Sequence, residues 1–356
     1  MRAPRGLHLD YVSLAEYPAA RWSDVLGVAT FNGSAGAVGG TAPGGVPVAQ
    51  VSTPVLSATT DVCEVWRDGE PEHSGQHGRV RFRGSGNTLF GCIALAEAQI
   101  VRAAVRCVGA ERAAAPSPLQ EATDQAYREI FATLDAEKYP YLLRVWNYLP
   151  DINRDSYGTE RYRQFNTARR HALRAAGRPL SGQVPAASAL GATADSPLVV
   201  YFLAGRIAPT FVENPRQMSA YHYPRRYGTH SPLFSRAALL RQSASLTLFI
   251  SGTASIVGHR SLHVGDIAAQ TRETLTNIEA LLEEANRVAG GAHFRLSNLA
   301  CKVYVRRAAD LPLIRAQLNC ALGEAARVIY LQADICRQDL LVEIEAAGMC
   351  PLAAGA

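Results

Sequence analysis

The residues best suited to chemistry lie near the C-terminus, in the segment ADICRQDLLVEIEAAG at positions 333–348. Its apolar run predicts a β-strand, and alternation puts Glu343 and Glu345 on one face of that strand and a core face on the other. The two glutamates either keep a water-facing sheet surface soluble or line a pocket, where a carboxylate can do general acid–base chemistry. Cys336 can approach Glu343 only if the strand begins after a turn at 337–339.

The charge composition favours a small anionic ligand. The chain has a net charge of +5 and only two lysines, Lys138 and Lys302, so nearly all of its cations are arginines. No basic run alternates with aromatic residues as a nucleic-acid groove requires, and we expect no nucleic-acid partner. Arginine grips a carboxylate with two parallel hydrogen bonds, which suits a small carboxylate ligand.

Length and composition indicate a globular protein. The chain has 356 residues, of which 48% are apolar, enough for one large domain or two ordinary ones. It has no run of about eighteen apolar residues and no apolar signal-peptide core, so we expect a cytoplasmic protein without a membrane segment. Its seven cysteines are widely spaced and form no CxxC pair, which argues against a disulfide framework and a structural zinc site.

Stretches of small residues indicate where the chain divides. The segment GRPLSGQVPAASALGATADSP at 177–197 has no apolar period, which is typical of a linker. We therefore expect an N-terminal domain over 1–180, a linker over 181–197 and a C-terminal domain over 198–356. A second, glycine-rich stretch at 32–45 predicts a loop.

The C-terminal half alternates strand and helix patterns. Strands are expected at 196–206, 245–258 and 296–307 and in the final segments ARVIYLQ and DLLVEIEA; helices are expected to begin at Asp266 and Asp310, the first ending at Gly290. This order indicates an α+β fold in which a mixed sheet carries helices on one side.

The N-terminal half repeats this order in degraded form. A strand is expected at 89–99, a helix at 119–136, a strand at 142–152 and a helix at 160–173, and three kinds of landmark recur in the same sequence: Gln120 and Gln270, Asp151 and Asp310, Asn166 and Asn319. We interpret this as a duplication. Two such sheets can pack face to face, which makes the faces opposite the helices internal and favours a pocket role for Glu343.

Several motifs carry a family resemblance. The run from SGTASIVG through GDIAAQTRETLTNIEALL, LSNLACKVYV and LLVEIEA resembles the Rid (YjgF-like) family, whose small subunits form trimers with active sites in the clefts between them. A closer resemblance covers both halves: WNYLPDIN, ERYRQFNTARRHAL, VENPRQMSAYHYPRRYGTHSPLFSRA, FISGTASIVGH and DICRQDLLVEIEA look like the chorismatases. Those enzymes convert chorismate to dihydroxycyclohexadiene carboxylate or to hydroxybenzoate, with release of pyruvate. The resemblance implies two Rid-like (chorismate-mutase-like) units packed as a pseudo-repeat.

The resemblance also implies catalytic roles. Glu343 matches the catalytic carboxylate of the chorismatases, where a general acid can protonate the electron-rich enolpyruvyl ether of chorismate. Such a group must be protonated near neutral pH, so we expect burial to raise its pKa. A cysteine at position 336 resembles the branch of the family that makes 3-hydroxybenzoate for secondary metabolism. The resemblance implies that this branch uses an intramolecular route through an arene-oxide-like intermediate. The alternative reaction is hydrolysis of chorismate to the trans-dihydrodiol. No catalytic role carries over to Glu345, which we expect to be structural or solvated.

Substrate-binding residues are implied in the same way. Chorismate carries two carboxylates, so its site needs cations or many neutral donors. The residues expected to bind the substrate are Arg216, Tyr221 and Arg236, with Arg161 and Tyr148 from the N-terminal half and Gly252 and Ala254 at a close backbone approach.

Other functions receive less support from the sequence. His259, His263 and Asp266 could bind a metal if they were helical, but they precede a helix cap, and no dinucleotide or P-loop fingerprint appears, so we expect neither a metal nor an organic cofactor. A Rid-like protein could instead only bind metabolites, or hydrolyse imines with an arginine such as Arg327 at the substrate carboxylate. Monomer and homotrimer remain open.

Overall fold

The computed structural model describes residues 6–13, 17–31, 40–56, 62–69, 71–100, 116–290 and 294–352. The chain is α+β, as expected from the sequence. Four α-helices lie wholly within the described residues, and most of the strands found there form three large sheets.

The helices are α1 (Pro118–Glu137), α2 (Arg161–Ala175), α3 (Ile267–Ala289) and α4 (Leu311–Leu322). The strands of the first 100 residues are β1 (Leu7–Ser13), β2 (Val25–Thr30), β3 (Gly40–Ala42), β4 (Val46–Gln50), β5 (Val62–Asp68), β6 (His73–His77), β7 (Val80–Gly84) and β8 (Thr88–Leu95). They are followed by β9 (Tyr141–Pro150), β10 (Asp155–Ser156), β11 (Thr159–Glu160), β12 (Ala186–Ala192), β13 (Leu198–Gly205), β14 (Thr210–Val212) and β15 (Ala237–Arg241). The last strands are β16 (Ser245–Ala254), β17 (Ile256–Val257), β18 (Arg260–Ser261), β19 (Ala300–Val305), β20 (Arg327–Gln332) and β21 (Val342–Pro351).

Two six-stranded sheets repeat one topology. The strand order is β12-β9-β13-β8-β7-β6 in the first and β20-β19-β21-β16-β15-β14 in the second. In each unit three strands are followed by a helix, a strand, a second helix and two more strands, and the final strand inserts into the middle of the sheet. The pairs β9–β12 and β19–β20 are both parallel. The expected pseudo-repeat is confirmed.

The helices cover one face of each sheet. Helix α1 begins at a capping box, in which the Ser117 hydroxyl accepts from the Gln120 backbone N–H while the Gln120 side chain accepts from the Ser117 N–H. Helix α3 begins as expected at Asp266, whose carboxylate accepts from the Ala269 N–H, and ends at left-handed Gly290. Each helix pair buries its apolar stripe against its own sheet, which forms two outer cores.

The opposite faces of the two sheets turn inward, and a third sheet joins them. Trp66 of β5 lies with its ring 5.7 Å from that of Trp146 in the first unit and 6.0 Å from that of Phe249 in the second. Strand β5 belongs to a five-stranded sheet in the order β1-β5-β2-β4-β3, which the sequence did not predict. The three sheets share one central apolar core.

The expected linker over 181–197 is wrong, because this segment contains a strand and lies inside the first unit. Residues 186–192 form β12, an edge strand parallel to β9, and 198–205 form β13 in the middle of the first sheet. The small side chains of β12 suggested a loop, but the strand is mostly buried because it lies against β16 of the second unit. The first unit therefore extends to Gly205. Of the glycine-rich stretch at 32–45, residues 32–39 lie outside the described residues.

Candidate active site

A cavity of about 810 Å³ opens between the two units. Four segments line it: 153–163 from the first unit, and 223–236, 252–256 and 336–343 from the second. A cavity at a junction between units, with charged and aromatic walls, is the usual form of a small-molecule site.

Glu343 faces this cavity from β21, the strand inserted in the middle of the second sheet. It pairs with Ala254 of β16 on one side and Tyr304 of β19 on the other, and its side chain is almost fully buried. Burial raises the pKa of its carboxyl group to about 8, and the negative charge of Glu345 adds to the rise. Glu343 is therefore mostly protonated at neutral pH.

Gly252 provides the space for that carboxyl group. A Cβ atom built on Gly252 would lie 1.8 Å from the Oε1 atom of Glu343, far inside van der Waals contact. The glycine lies where the pairing of β16 with β21 shifts register, between Ile250 and Thr253. The structure thus assigns Gly252 a role beside the glutamate, whereas the resemblance implied an approach to the substrate ring.

Glu345 lies on the same face but points into a closed network of charges. Its carboxylate accepts hydrogen bonds from Arg144 Nη2 at 2.7 Å, Trp146 Nε1 at 2.6 Å and Ser188 Oγ at 2.7 Å, and it pairs with Lys302 Nζ at 2.9 Å. These donors come from β9, β12 and β19. We expected Glu345 to be either structural or solvated, and the structure shows that it is structural and buried.

The network extends to the third sheet. Lys302 also pairs with Glu64 of β5 and donates to the Tyr201 hydroxyl at 2.8 Å.

Burial raises the pKa of Glu345, but the positive charges of Lys302 and Arg144 outweigh that effect, and the net pKa of Glu345 is lowered. The two glutamates of one strand face thus have opposite protonation states at neutral pH, as pairs with an acid role and an anion role do.

Cys336 lines the cavity just before the turn that leads into β21. Burial raises the pKa of its thiol to about 12, and the nearby Glu343 contributes. The side chain is a neutral thiol at physiological pH. The expected turn at 337–339 is present, since the strand begins only at Val342, and it brings Cys336 and Glu343 to one cavity.

Arginines and tyrosines form another part of the cavity wall. Arg337 lies over the rings of Tyr227 at 4.2 Å and Tyr223 at 5.2 Å, and its Nη1 atom donates to the backbone carbonyl of His259. Its buried Nη2 atom has no hydrogen-bond partner among the described residues. Arg236 donates from Nη2 to the Tyr223 hydroxyl at 2.8 Å, and its buried Nε atom likewise lacks a partner within the described chain. Both guanidinium groups retain donors for an anion.

The first unit contributes a different set of side chains. Tyr162 and Arg163, at the start of α2, line the cavity, and burial raises the pKa of the Tyr162 hydroxyl, so it stays neutral. Strand pairing shows that the first unit has no equivalent of Glu343. The residue of β21 opposite Tyr304 is Glu343, whereas the residue of β13 opposite Tyr148 is Val199.

Known chorismatases are similar to this chain in sequence and in structure. A family model described as Chorismatase FkbO/Hyg5-like, N-terminal, matches residues 64–204. A 3-hydroxybenzoate synthase of Streptomyces hygroscopicus is 37% identical over 296 residues, which cover 80% of this chain and 81% of that protein. A crystal structure of a chorismatase is similar with a TM-score of 0.83 and 31% identity, and covers 97% of this chain and 98% of the other. The chain belongs to the chorismatase family. RidA from Psychrobacter sp. PAMC 21119 matches 40% of this chain and 99% of its own, at 19% identity and a TM-score of 0.28.

Five of the residues expected in the site of this chorismatase line the one cavity. They are Glu343, Cys336, Arg236, Gly252 and Ala254. They come from three separate segments of the second unit, and the fold brings them together.

Two residues expected from the motif VENPRQMSAYHYPRRYG lie elsewhere. Arg216 does not line the cavity; its guanidinium binds Asn277 Oδ1 at 2.6 Å and Glu273 at 2.8 Å on helix α3. Tyr221 packs beside the outer core of the first unit, with its ring 4.6 Å from that of His222. Tyr221 lies in a short helical turn at 220–222, and a second turn follows at 225–227; the motif alone does not show these turns.

The two residues expected from the first unit are also placed away from the cavity. Arg161 is buried, pairs with Glu97 and donates to the carbonyl of Pro150. Tyr148 lies fully buried between the sheets, where its hydroxyl meets that of Tyr304 at 2.6 Å. Both stabilise the fold rather than contact the cavity.

The residues that sequence reasoning missed are neighbours of those it chose. Arg337 follows Cys336 directly, and Tyr223 and Tyr227 lie two and six residues after Tyr221. The motifs therefore located the right segments of the chain. Within them, the spacing of the tyrosines was the one signal that could have pointed to Tyr223 and Tyr227.

Two further expectations concern absences. None of the helices in the described ranges is long and apolar enough to cross a membrane. In the same part of the chain, no three His, Cys, Asp or Glu side chains are grouped as metal ligands would be.

Proposed function

We propose that this chorismatase converts chorismate to 3-hydroxybenzoate and pyruvate in the cavity between its two units. The name of the 3-hydroxybenzoate synthase from Streptomyces hygroscopicus supports this product. The observation that carries the proposal is the buried carboxyl group of Glu343 in the cavity, where burial raises its pKa to about 8.

Glu343 acts as the general acid. The methylene carbon of the enolpyruvyl ether is electron-rich, and its protonation generates an oxocarbenium ion that weakens the bond between the ring carbon and the ether oxygen. A carboxyl group with a pKa near 8 holds the required proton at neutral pH, which an ordinary glutamate does not. The carboxylate left behind lies close to Ser188 and Gly252 and can be reprotonated between turnovers.

The substrate carboxylates bind to the arginines of the cavity wall. Arg337 and Arg236 each keep a buried N–H without a partner in the described chain, and Arg163 lies across the cavity on α2. Charge-assisted hydrogen bonds from guanidinium groups orient a rigid dicarboxylate better than a single cation does. The tyrosine rings at 223 and 227 support Arg337 and cover the same side.

Cys336 excludes the water that hydrolysis would use. In the proposed route the ring hydroxyl attacks the neighbouring carbon as its bond to the ether oxygen breaks, so that pyruvate leaves and an arene-oxide-like intermediate remains. Ring opening and loss of a ring proton then give the phenol. Chorismate and the two products balance without added water, whereas the dihydrodiol requires one water molecule. A neutral thiol beside Glu343 fills space and binds water weakly.

Product analysis tests the proposal. The purified protein is incubated with chorismate, and the products are separated and identified. We expect pyruvate and 3-hydroxybenzoate in equal amounts. Absence of pyruvate would overturn the activity, and pyruvate together with a non-aromatic dihydrodiol would overturn the product and leave the hydrolytic route.

A further inference from the structure

Glu345 is the most heavily bonded carboxylate beside the proposed acid. Four donors, from Lys302, Arg144, Trp146 and Ser188, converge on its two oxygens, and its side chain is almost fully buried. It lies two residues from Glu343 on one strand face, at a backbone separation of about 6.6 Å. The two carboxyl groups therefore share one low-dielectric region, where charges interact strongly.

The charges around Glu345 balance without Glu343. Lys302 lies between Glu64 and Glu345, and Arg144 binds Glu345, so two cations face two anions. Buried charges are tolerated when they are paired in this way. A third carboxylate in the same region would have no cation of its own.

We propose that Glu345 is a positioning residue for catalysis: it holds the charges of Lys302 and Arg144 and thereby keeps the neighbouring Glu343 in the neutral, proton-carrying form. The proposal rests on the role of Glu343 as the acid in the proposed function. Without Glu345, Lys302 would still pair with Glu64, but Arg144 would be left as an unpaired buried cation near Glu343 and would favour its anion.

The hydroxyl of Ser188 joins the two glutamates geometrically. It donates to Glu345 Oε2 at 2.7 Å and accepts from Arg144 Nη2 at 2.5 Å and from the Gly252 N–H at 3.0 Å. Gly252 is the residue against which the Glu343 carboxyl group rests. The ion pair therefore also fixes the backbone that positions the acid.

Two other arginines lie near Glu343, and neither of them binds Glu345. Arg306, after β19, binds Asp334 at 2.5 Å. Arg236, before β15, donates to the Met218 carbonyl and the Tyr223 hydroxyl. Cys336 and Tyr162 are neutral because burial raises the pKa of each. Arg144 of β9 is then the cation whose availability Glu345 controls.

A titration of Glu343 that needs no substrate tests the inference. Protein labelled with ¹³C at the glutamate side-chain carboxyl carbon is titrated by NMR, and the Glu343 signal is identified by its loss in Glu343→Gln. In Glu345→Gln we expect the midpoint to fall by about one to two pH units, because an anion is lost and Arg144 is uncovered. In Arg144→Met we expect the midpoint to rise. In the double variant that combines Glu345→Gln with Arg144→Met, Lys302 and Glu64 still pair. We expect the Glu343 midpoint of this variant to lie within about half a pH unit of the wild-type midpoint.

These opposite shifts separate the proposal from a merely structural role. A structural role would leave the Glu343 midpoint unchanged in both single variants or move it in the same direction, and either result would overturn the inference. If Glu345→Gln does not fold, Arg144→Met and the charge-balanced double variant still provide the comparison. Failure of the proposed function would appear separately, as a wild-type protein that releases no pyruvate from chorismate.

Discussion

Gly252 and Glu343 are in direct contact across two neighbouring strands: the Oε1 atom of the glutamate occupies the place where a residue other than glycine would have its Cβ. The bulge in β16 and the missing side chain together create a recess for one carboxyl group. The position of the acid is therefore set by the backbone of a different strand.

Gly252→Ala is expected to inactivate the enzyme without unfolding it. The added methyl group would meet Glu343 Oε1 at 1.8 Å and displace the carboxyl group, so we expect kcat/KM for chorismate to fall by about a hundredfold or more. Overpacking of this kind typically costs about 1–3 kcal/mol of stability. Gly86→Ala is the matched control, since its Cβ would meet only Glu72 Oε1 at 3.4 Å. Equal activity of the two variants would show that the recess is not needed.

The pH dependence of catalysis should follow the protonation of Glu343. An acid with a pKa raised to about 8 is protonated below that pH and loses its proton above it, so kcat/KM should be highest below pH 8 and decline as the pH rises through 8. Initial rates of pyruvate release between pH 5 and 10 measure this limb. A rate that stays constant up to pH 9.5 would contradict the assignment.

Substitution of Arg337 should weaken substrate binding. Arg337→Lys loses the planar guanidinium that stacks on Tyr227, so we expect KM for chorismate to rise roughly ten- to a hundredfold with a smaller change in kcat. Arg216→Lys is the matched control, because Arg216 binds Asn277 and Glu273 away from the cavity, and its KM should change by less than about threefold. If Arg216→Lys raised KM and Arg337→Lys did not, the expectation that Arg216 binds the substrate would be restored.

Cys336→Ala should change the products more than the rate. A smaller side chain beside Glu343 makes room for water, so we expect a larger share of the trans-dihydrodiol relative to 3-hydroxybenzoate. Chromatographic quantification of both products after full conversion measures the ratio. A ratio equal to that of the wild type would leave Cys336 as a packing residue.

The strand that carries the two glutamates shows how far sequence reasoning reached. Alternation put Glu343 and Glu345 on one face, and the duplication made that face internal, as the structure confirms. Their different roles could not be read from pattern, because the cation that separates them, Arg144, lies 201 residues from Glu345. Long-range pairing of charges has no local signal in the chain.

The remaining misses have local causes. The strand at 186–192 is built from Ala, Ser, Leu and Gly, a composition that also suits a loop, and only its neighbours show that it is a strand. In the segment around 216–227, short helical turns decide which of several arginines and tyrosines face the cavity. Motifs locate such segments, whereas side-chain direction depends on backbone angles that the motif does not encode.

Replacement of the acid tests the account most directly. Glu343→Gln keeps the shape of the side chain and cannot donate a proton as an acid, so pyruvate release from chorismate should fall by roughly a hundredfold to ten-thousandfold. The variant should remain folded and still bind chorismate, and Glu160→Gln, which removes another cavity carboxylate, should lose far less activity. Pyruvate release by Glu343→Gln at a rate close to that of the wild type would contradict the central claim.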